Sequence, residues 1–443
     1  MKRDRFLKSS LILICSNLIT SIFAFIFSII LSRYLGAEGM GLYDLIMPIY
    51  DLFICLICGG MVTSISKASA VYFGKDDFSN LDGSISVSLL FDSVWSLIII
   101  CFVFVNAKYI GMNIIDDIRA VHAIQVICPA MFFIALSCIF KGYFYGTSDV
   151  KIPALIDVVE KFLRIIIITN IVSAFTLKGV NKTVTAAYLT LAFGELISLV
   201  TLYFFYRLKR GKYLKSLDYN VDKFQLLFNV LIVSFPLCLN GFLSTGISAV
   251  SGLTIPRRLV SSGIDYNLAL SMIGRFKAMA FSIVFFPTTI LNSISIVLIP
   301  DLSEKISSRD YFAVENRISQ VLKVSIILGI ITMVVCLCIP DYLGQLFYKR
   351  NDIGNYIKFA SLCAPISFVS AASFSILNGI GKQNILLRNS LIVSVEELIL
   401  IYLLTGIRSI NIYGCGISLI LTSLTSLILN MHEIKKEGFY NPL

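Results

Sequence analysis

Arg33-Tyr34-Leu35-Gly36-Ala37-Glu38-Gly39-Met40-Gly41-Leu42-Tyr43-Asp44-Leu45-Ile46-Met47-Pro48-Ile49-Tyr50 is a charged, glycine-rich corner between two apolar runs. The run before it has no charged residue between Lys8 and Arg33, and the run after it continues to about residue 66. A spanning helix needs roughly 20 mostly apolar residues to cross the hydrocarbon of a bilayer, and both runs qualify. A reduced copy of the corner lies 224 residues on, where Arg33-x-Leu35-x-x-x-Gly39 returns as Arg257-x-Leu259-x-x-x-Gly263. Each copy closes the first helix of its half, which points to a duplicated membrane protein with paired cationic sites.

The whole composition agrees with that reading. The chain is 57% hydrophobic and 14% charged, with a mean hydropathy of +0.86. A soluble domain carries about 25% charged residues, and so apolar a chain cannot clothe a water-facing surface. The apolar runs are continuous rather than alternating, which excludes a β-barrel. The length rule gives twelve spans, at 10–32, 42–66, 84–105, 122–145, 155–177, 183–206, 225–250, 268–298, 320–340, 356–378, 385–406 and 410–430. The span at 268–298 is the weakest, because Arg275 and Lys277 stand near its start.

Lys and Arg counted by side favour the segments facing the N-terminus by roughly two to one, so both termini are expected in the cytoplasm of a multi-pass protein of the bacterial cytoplasmic membrane. The net charge of +10 has the same origin and does not require nucleic acid. The N-terminal apolar run is too long for a typical signal core of about 7–15 residues and is read as an uncleaved first helix. The basic loop Arg207-Leu208-Lys209-Arg210-Gly211-Lys212-Tyr213-Leu214-Lys215 marks the boundary between two six-helix lobes, 1–215 and 216–443. Six is even, so the halves enter the membrane alike and are expected to be related by a pseudo-twofold along its normal. A second echo, at an offset of 235, pairs Cys128 with Cys363, Phe133 with Phe368 and Gly146 with Gly381.

Eleven cysteines lie mostly inside apolar runs, where cysteine behaves as a small hydrophobe. Cys55-x-x-Cys58 has no second pair, and two histidines, His122 and His432, cannot build a histidine-rich site, so no metal or cofactor is expected. There is no G-x-x-x-x-G-K-[ST] phosphate loop and no recognisable catalytic constellation, which argues for a carrier rather than an enzyme.

Charged residues inside spans cost from about 2.5 kcal/mol each at the helix centre and usually face a cavity or a partner. They are Asp44, Asp51, Asp92, Asp157, Glu160, Lys161, Arg164, Glu195, Arg275, Lys277, Glu396 and Glu397. Glu160 and Arg164 stand at i and i+4, so they share a helix face and can neutralise each other, as a structural pair or in the transport path. Asp51 is the deeper of the two acids flanking Pro48, which should bend its helix. Asp51, Glu160, Arg164 and Glu396 are the cavity or coupling candidates. Arg33, Arg257, Arg258, Arg275 and Lys277 form a basic set at the outer ends of helices, against the usual bias. Arginine's planar fork suits phosphate, so an anionic, phosphate-bearing substrate is expected.

Ser32 through Tyr43 resembles the opening motif of polysaccharide-type flippases of the multidrug/oligosaccharidyl-lipid/polysaccharide superfamily. Ile255-Pro256-Arg257-Arg258-Leu259 with Gly263 is similar to the seventh-helix exit of its stage V sporulation protein B branch. Phe144-Tyr145-Gly146 to Pro153, followed by Val158-Val159-Glu160-Lys161-Phe162-Leu163-Arg164, resembles that branch's fourth-to-fifth helix segment. The resemblance implies two lobes around a cavity opening alternately to each side, and a lipid-linked glycan or peptidoglycan precursor moved to the outer leaflet. It implies Arg33, Arg257 and Arg258 as contacts for the pyrophosphate, and position adds Arg275. Membrane lipids, and cell-wall or polysaccharide synthesis enzymes, are the implied partners. The sequence leaves Na⁺, H⁺ and the membrane potential open as what drives the cycle. The rival is a cation-coupled multidrug exporter, which would be expected to carry an acid in helix 1, where this chain has none. A scaffold that recruits wall-synthesis enzymes without transport is a third reading.

Overall fold

The computed structural model describes residues 2–175, 180–211 and 222–438, and its regular secondary structure among them is helical throughout. The boundary expected at residue 215, with Lys212 to Lys215 of the basic loop, lies outside the described residues.

The corner that opens the sequence is a break in one long helix. Helix α1 (Lys2–Cys58) consists of two helices joined across a kink at Gly36, where φ is 67° and ψ is −174°. That backbone region is essentially restricted to glycine. Pro48, expected to bend the chain, sits inside helical backbone, and the non-helical residue is Gly36. α2 (Met61–Gly74) follows after Gly59 and Gly60. Beyond it come α3 (Phe78–Val105), α4 (Ala120–Gly146), α5 (Lys151–Phe175), α6 (Val180–Arg210) and α7 (Lys223–Ser261). The second half continues with α8 (Tyr266–Phe285), α9 (Thr288–Ser307), α10 (Tyr311–Cys338) and the short α11 (Pro340–Tyr348). It closes with α12 (Gly354–Ser361), α13 (Ala364–Gly379), α14 (Gln383–Leu404) and α15 (Tyr413–Lys436).

Among the described residues eight helices are long and apolar enough to cross a membrane, or nine with the bent pair α12–α13, whose axes turn by 47°. One of the eight, Leu11–Gly74, is 64 residues long, more than one crossing can use, and Gly36 divides it into the first two spans. α5 and α14 have crossing length but carry Asp157, Glu160, Lys161 and Arg164 in one, and Arg388, Glu396 and Glu397 in the other. Twelve crossings result, as the apolar runs require. The weak eighth span is α8 together with α9. A π-helical segment, Gly274–Ala280, holds Arg275 and Lys277, and the chain breaks again at Pro287, which has no N–H to donate.

The chain forms two compact units, one of Met1–Phe27 with Leu45–Ala249 and one of Ser28–Asp44 with Val250–Leu443. In the first, α4 is the hub: it packs against α2, α3 and α6, while α5 pairs with α6. In the second, α13 packs against α9, α10 and α15, while α14 pairs with α15. The same scheme therefore recurs, with the fourth span of each set touching the second, third and sixth. Each unit has its own apolar cluster, built on Ile65, Leu81, Ile139, Tyr143 and Phe144 in the first and on Leu302, Ile318, Ile376 and Leu377 in the second. The two corners turn on different glycines. The left-handed residue comes three after Arg33, at Gly36, but six after Arg257, at Gly263, although offset 224 aligns Gly263 with Gly39.

Candidate functional site

The first unit holds a buried ionic network. Glu160 and Arg164 lie on one face of α5, and the carboxylate pairs with Arg164 Nε. Arg164 Nη2 also donates to Glu195 Oε1 of α6 at 2.6 Å. All three side chains are buried. Lys161 Nζ stands 3.2 Å from the other oxygen of Glu160, and Lys141 of α4 holds Asp157 at 2.8 Å. Three carboxylates thus face three cations, which is how charges survive in a low-dielectric interior. The approach of α6 depends on Gly194, because a Cβ there would collide with the Arg164 side chain and with Glu160 Oε1. Sequence spacing reveals the Glu160–Arg164 pair but not Glu195 or Lys141, which come from other helices.

The second unit gathers the basic set, because the corner Ser28–Asp44 is counted with the C-terminal residues. Arg33 is exposed, and its Nη2 donates to the carbonyl of Phe347 at the end of α11, 2.9 Å away. Arg275 Nε lies 3.1 Å from Asp352 Oδ2 in the turn after α11. Arg350 grips the same carboxylate with two donors, Nε to Oδ1 at 2.7 Å and Nη2 to Oδ2 at 2.6 Å. Those hydrogen bonds from Arg350 hold the Asp352 carboxyl below the usual carboxylate range, and Arg275 adds to the effect. The turn 347–352 therefore brings Arg33 and Arg275 to one place and adds Arg350. Sequence position missed Arg350 because it lies between spans, where a basic residue is unremarked.

Arg257 and Arg258 are neighbours in sequence with different surroundings. Arg257 is exposed. Arg258 is half-buried against α14, where its Nε donates to the carbonyl of Tyr402 at 2.9 Å and its guanidinium lies 4.2 Å from the centre of the Tyr402 ring. Two residues along from Arg275, Lys277 Nζ pairs with Asp44 Oδ2 at 3.0 Å and faces Glu397 of α14. Asp44 is thus an ion-pair partner in the second unit. Asp51 is exposed and belongs to the first unit. Glu396 accepts from Thr425 Oγ1 at 2.9 Å. Cys55 and Cys58 point their thiols at the backbone carbonyls of Cys238 and Ile54, and among the described residues no group of three or more His, Cys, Asp or Glu is placed to hold a metal ion.

Comparison with known proteins gives these contacts a family. Residues 6–306 match the profile of the Polysaccharide biosynthesis protein family, and residues 277–403 match the MatE profile. The chain is 24% identical to Stage V sporulation protein B of Bacillus subtilis over 441 residues, covering 98% of this chain and 85% of that protein. It is 21% identical to Lipid II flippase MurJ of the same organism over 463 residues, covering 99% and 84%. Among solved structures it resembles an inward-facing multidrug resistance MATE family transporter, with a TM-score of 0.74 at 17% identity, covering 97% of this chain and 99% of that one. A MOP superfamily transporter from Pyrococcus furiosus matches with a TM-score of 0.68 at 15% identity, covering 97% and 95%. The fold is that of these transporters. The chain belongs to the Polysaccharide biosynthesis protein family, and so to the flippases and transporters of the multidrug/oligosaccharidyl-lipid/polysaccharide superfamily.

Proposed function

We propose that this carrier moves an undecaprenyl-pyrophosphate-linked oligosaccharide or peptidoglycan precursor from the inner to the outer leaflet by alternating access. The observation that carries the reading is the turn at 347–352, where the guanidinium groups of Arg275 and Arg350 meet one carboxylate, Asp352, and that of Arg33 reaches the Phe347 carbonyl. Arg33 hydrogen-bonds a neutral carbonyl there, so the positive charge exceeds the negative. A diphosphate can take the place of Asp352 on forks that already present paired donors. Arg257 and Arg258 are assigned to the same substrate from the mouth of α7. Asp51, Glu160, Arg164 and Glu396 are the candidates for lining the cavity. The duplicated halves are taken as 1–215 and 216–443, and the protein is placed in the bacterial cytoplasmic membrane with both termini inside. The names of the relatives, a lipid II flippase and a sporulation protein, support a lipid-linked wall precursor as cargo.

The test is reconstitution of the purified chain in vesicles with two probes, a fluorescent undecaprenyl-diphosphate-linked disaccharide and a lipophilic cationic dye. The expected result is movement of the first and not the second. Movement of the dye alone would hand the protein to the multidrug-exporter reading, which the MATE-like fold also accommodates.

A further inference from the structure

Asp92, midway along α3, has none of its surface exposed, and neither of its carboxylate oxygens has a hydrogen-bond partner among the described residues. Glu160 and Glu195, also buried, share Arg164. Leaving a bare carboxylate in such a place costs several kcal/mol, so a buried acid without a partner calls for a functional explanation.

The surroundings of Asp92 supply a second, independent sign. The second span is interrupted beside it: α1 ends at Cys58, α2 begins at Met61, and Gly60 between them is left-handed at φ 75°. Interrupted spans in carriers form at binding sites, where irregular backbone is tolerated because it lines a cavity. Trp95, three residues after Asp92, donates its indole N–H to the carbonyl of Leu56 at 3.2 Å, and Cys238 Sγ of α7 donates to the carbonyl of Cys55 at 3.3 Å. The break and the acid therefore belong to one local assembly in the first unit.

Among the described residues, two thiols from neighbouring helices interact electrostatically with Asp92, Cys58 from α1 and Cys238 from α7. Cys138 of α4 bonds Cys58, and Cys55 adjoins Cys238. Of the lysines on the packed helices, Lys67 of α2 is exposed and Lys141 of α4 is committed to Asp157. Asp82 on α3 itself, paired with Arg210 of α6, is ten residues away, about 15 Å of helix rise. A hard metal cation needs a shell of several oxygen ligands, whereas the side-chain oxygens on this face of α3 besides Asp92 are the hydroxyls of Ser88 and Ser96. A proton needs one carboxylate.

We propose that Asp92 is where this carrier binds its coupling proton, held as a carboxylic acid in the conformation seen here. When the break at Gly59–Gly60 opens, water reaches the group, the O–H bond breaks and the proton leaves to water. A proton from the other side restores the bond in the return step. The proposal rests on the transport reading, but the site can be tested without it.

The experiment uses the full chain, wild type and Asp92→Asn, with Asp92→Glu as a second variant. Infrared spectroscopy of the purified protein at neutral pH should show a buried carboxylic-acid C=O band in the wild type. That band should be absent in Asp92→Asn and shifted in Asp92→Glu. In vesicles, an imposed pH difference should accelerate movement of the fluorescent undecaprenyl-diphosphate probe by the wild type and have no effect on Asp92→Asn. Identical infrared bands in all three proteins would overturn the proposal, as would a pH-driven rate unchanged in Asp92→Asn. Stabilisation by Na⁺ that vanishes in Asp92→Asn, with no acid band in the wild type, would overturn it in favour of sodium. An acid band lost in Asp92→Asn, in a protein that moves no probe, would sink the flippase reading and leave the proton site standing.

Discussion

Gly36 bears the turn between the first two spans, and nothing lies within 4 Å of where a Cβ would sit, so the strain of a side chain there is purely conformational. Gly36→Ala is expected to cost about 1–3 kcal/mol through its positive φ, read as a lower unfolding temperature in detergent. Asp352 offers a second test. Its carboxyl is held low by Arg350, so the interaction stabilises the folded state above the ordinary carboxylate pKa and is lost as pH falls through the lower folded value. Wild type should therefore be more stable than Asp352→Asn at neutral pH, and the gap should close below roughly pH 4. Asp352→Asn should also bind inorganic diphosphate more tightly, because Arg275 and Arg350 lose their resident anion. A gap independent of pH, or weaker diphosphate binding, would remove Asp352 from the site. The residue types of this corner were legible in the sequence, but the turn that collects them was not. Arg33 and Arg350 are more than 300 residues apart, and no local pattern records a contact across that separation.

α5 shows how far periodicity reads at the scale of an element. An i, i+4 pair follows from 3.6 residues per turn, so Glu160 and Arg164 could be matched from their spacing alone. Glu195 could not, since its partner lies on another helix and only the close approach at Gly194 brings them together. Glu160→Gln should destabilise by less than the roughly 3–5 kcal/mol of a broken buried pair, because Glu195 still holds Arg164. The double variant Glu160→Gln/Glu195→Gln should reach that full range in thermal unfolding. Equal losses in the single and double variants would show that Glu195 contributes nothing. A single variant of full stability and no transport would move Glu160 from scaffold to transport path. In α8 the charges that weakened the span in the sequence sit in a π-helical segment, a local departure that hydropathy does not encode and that frequently marks functional positions.

For the whole molecule, composition fixed the membrane setting, and the length of the apolar runs fixed the number of crossings. The repeated packing scheme, with α4 and α13 as hubs, gives the sparse sequence echoes a structural counterpart. The compact units exchange segments that a cut in the central loop would keep apart, Ser28–Asp44 in one direction and Lys223–Ala249 in the other. No composition shift marks those segments, since each is the continuation of a single helix. The basic set gains its meaning at this scale, because Arg33 joins Arg275 and Arg350 only through that exchange.

The central claim is that guanidinium groups at the 347–352 turn grip a diphosphate. The direct measurement is translocation of the fluorescent undecaprenyl-diphosphate probe by Arg33→Ala/Arg275→Ala in vesicles, with unfolding temperature as the control for folding. The account predicts that translocation is lost while stability stays within about 1 kcal/mol, as expected for partly exposed polar contacts. Wild-type translocation by the folded double variant would contradict it.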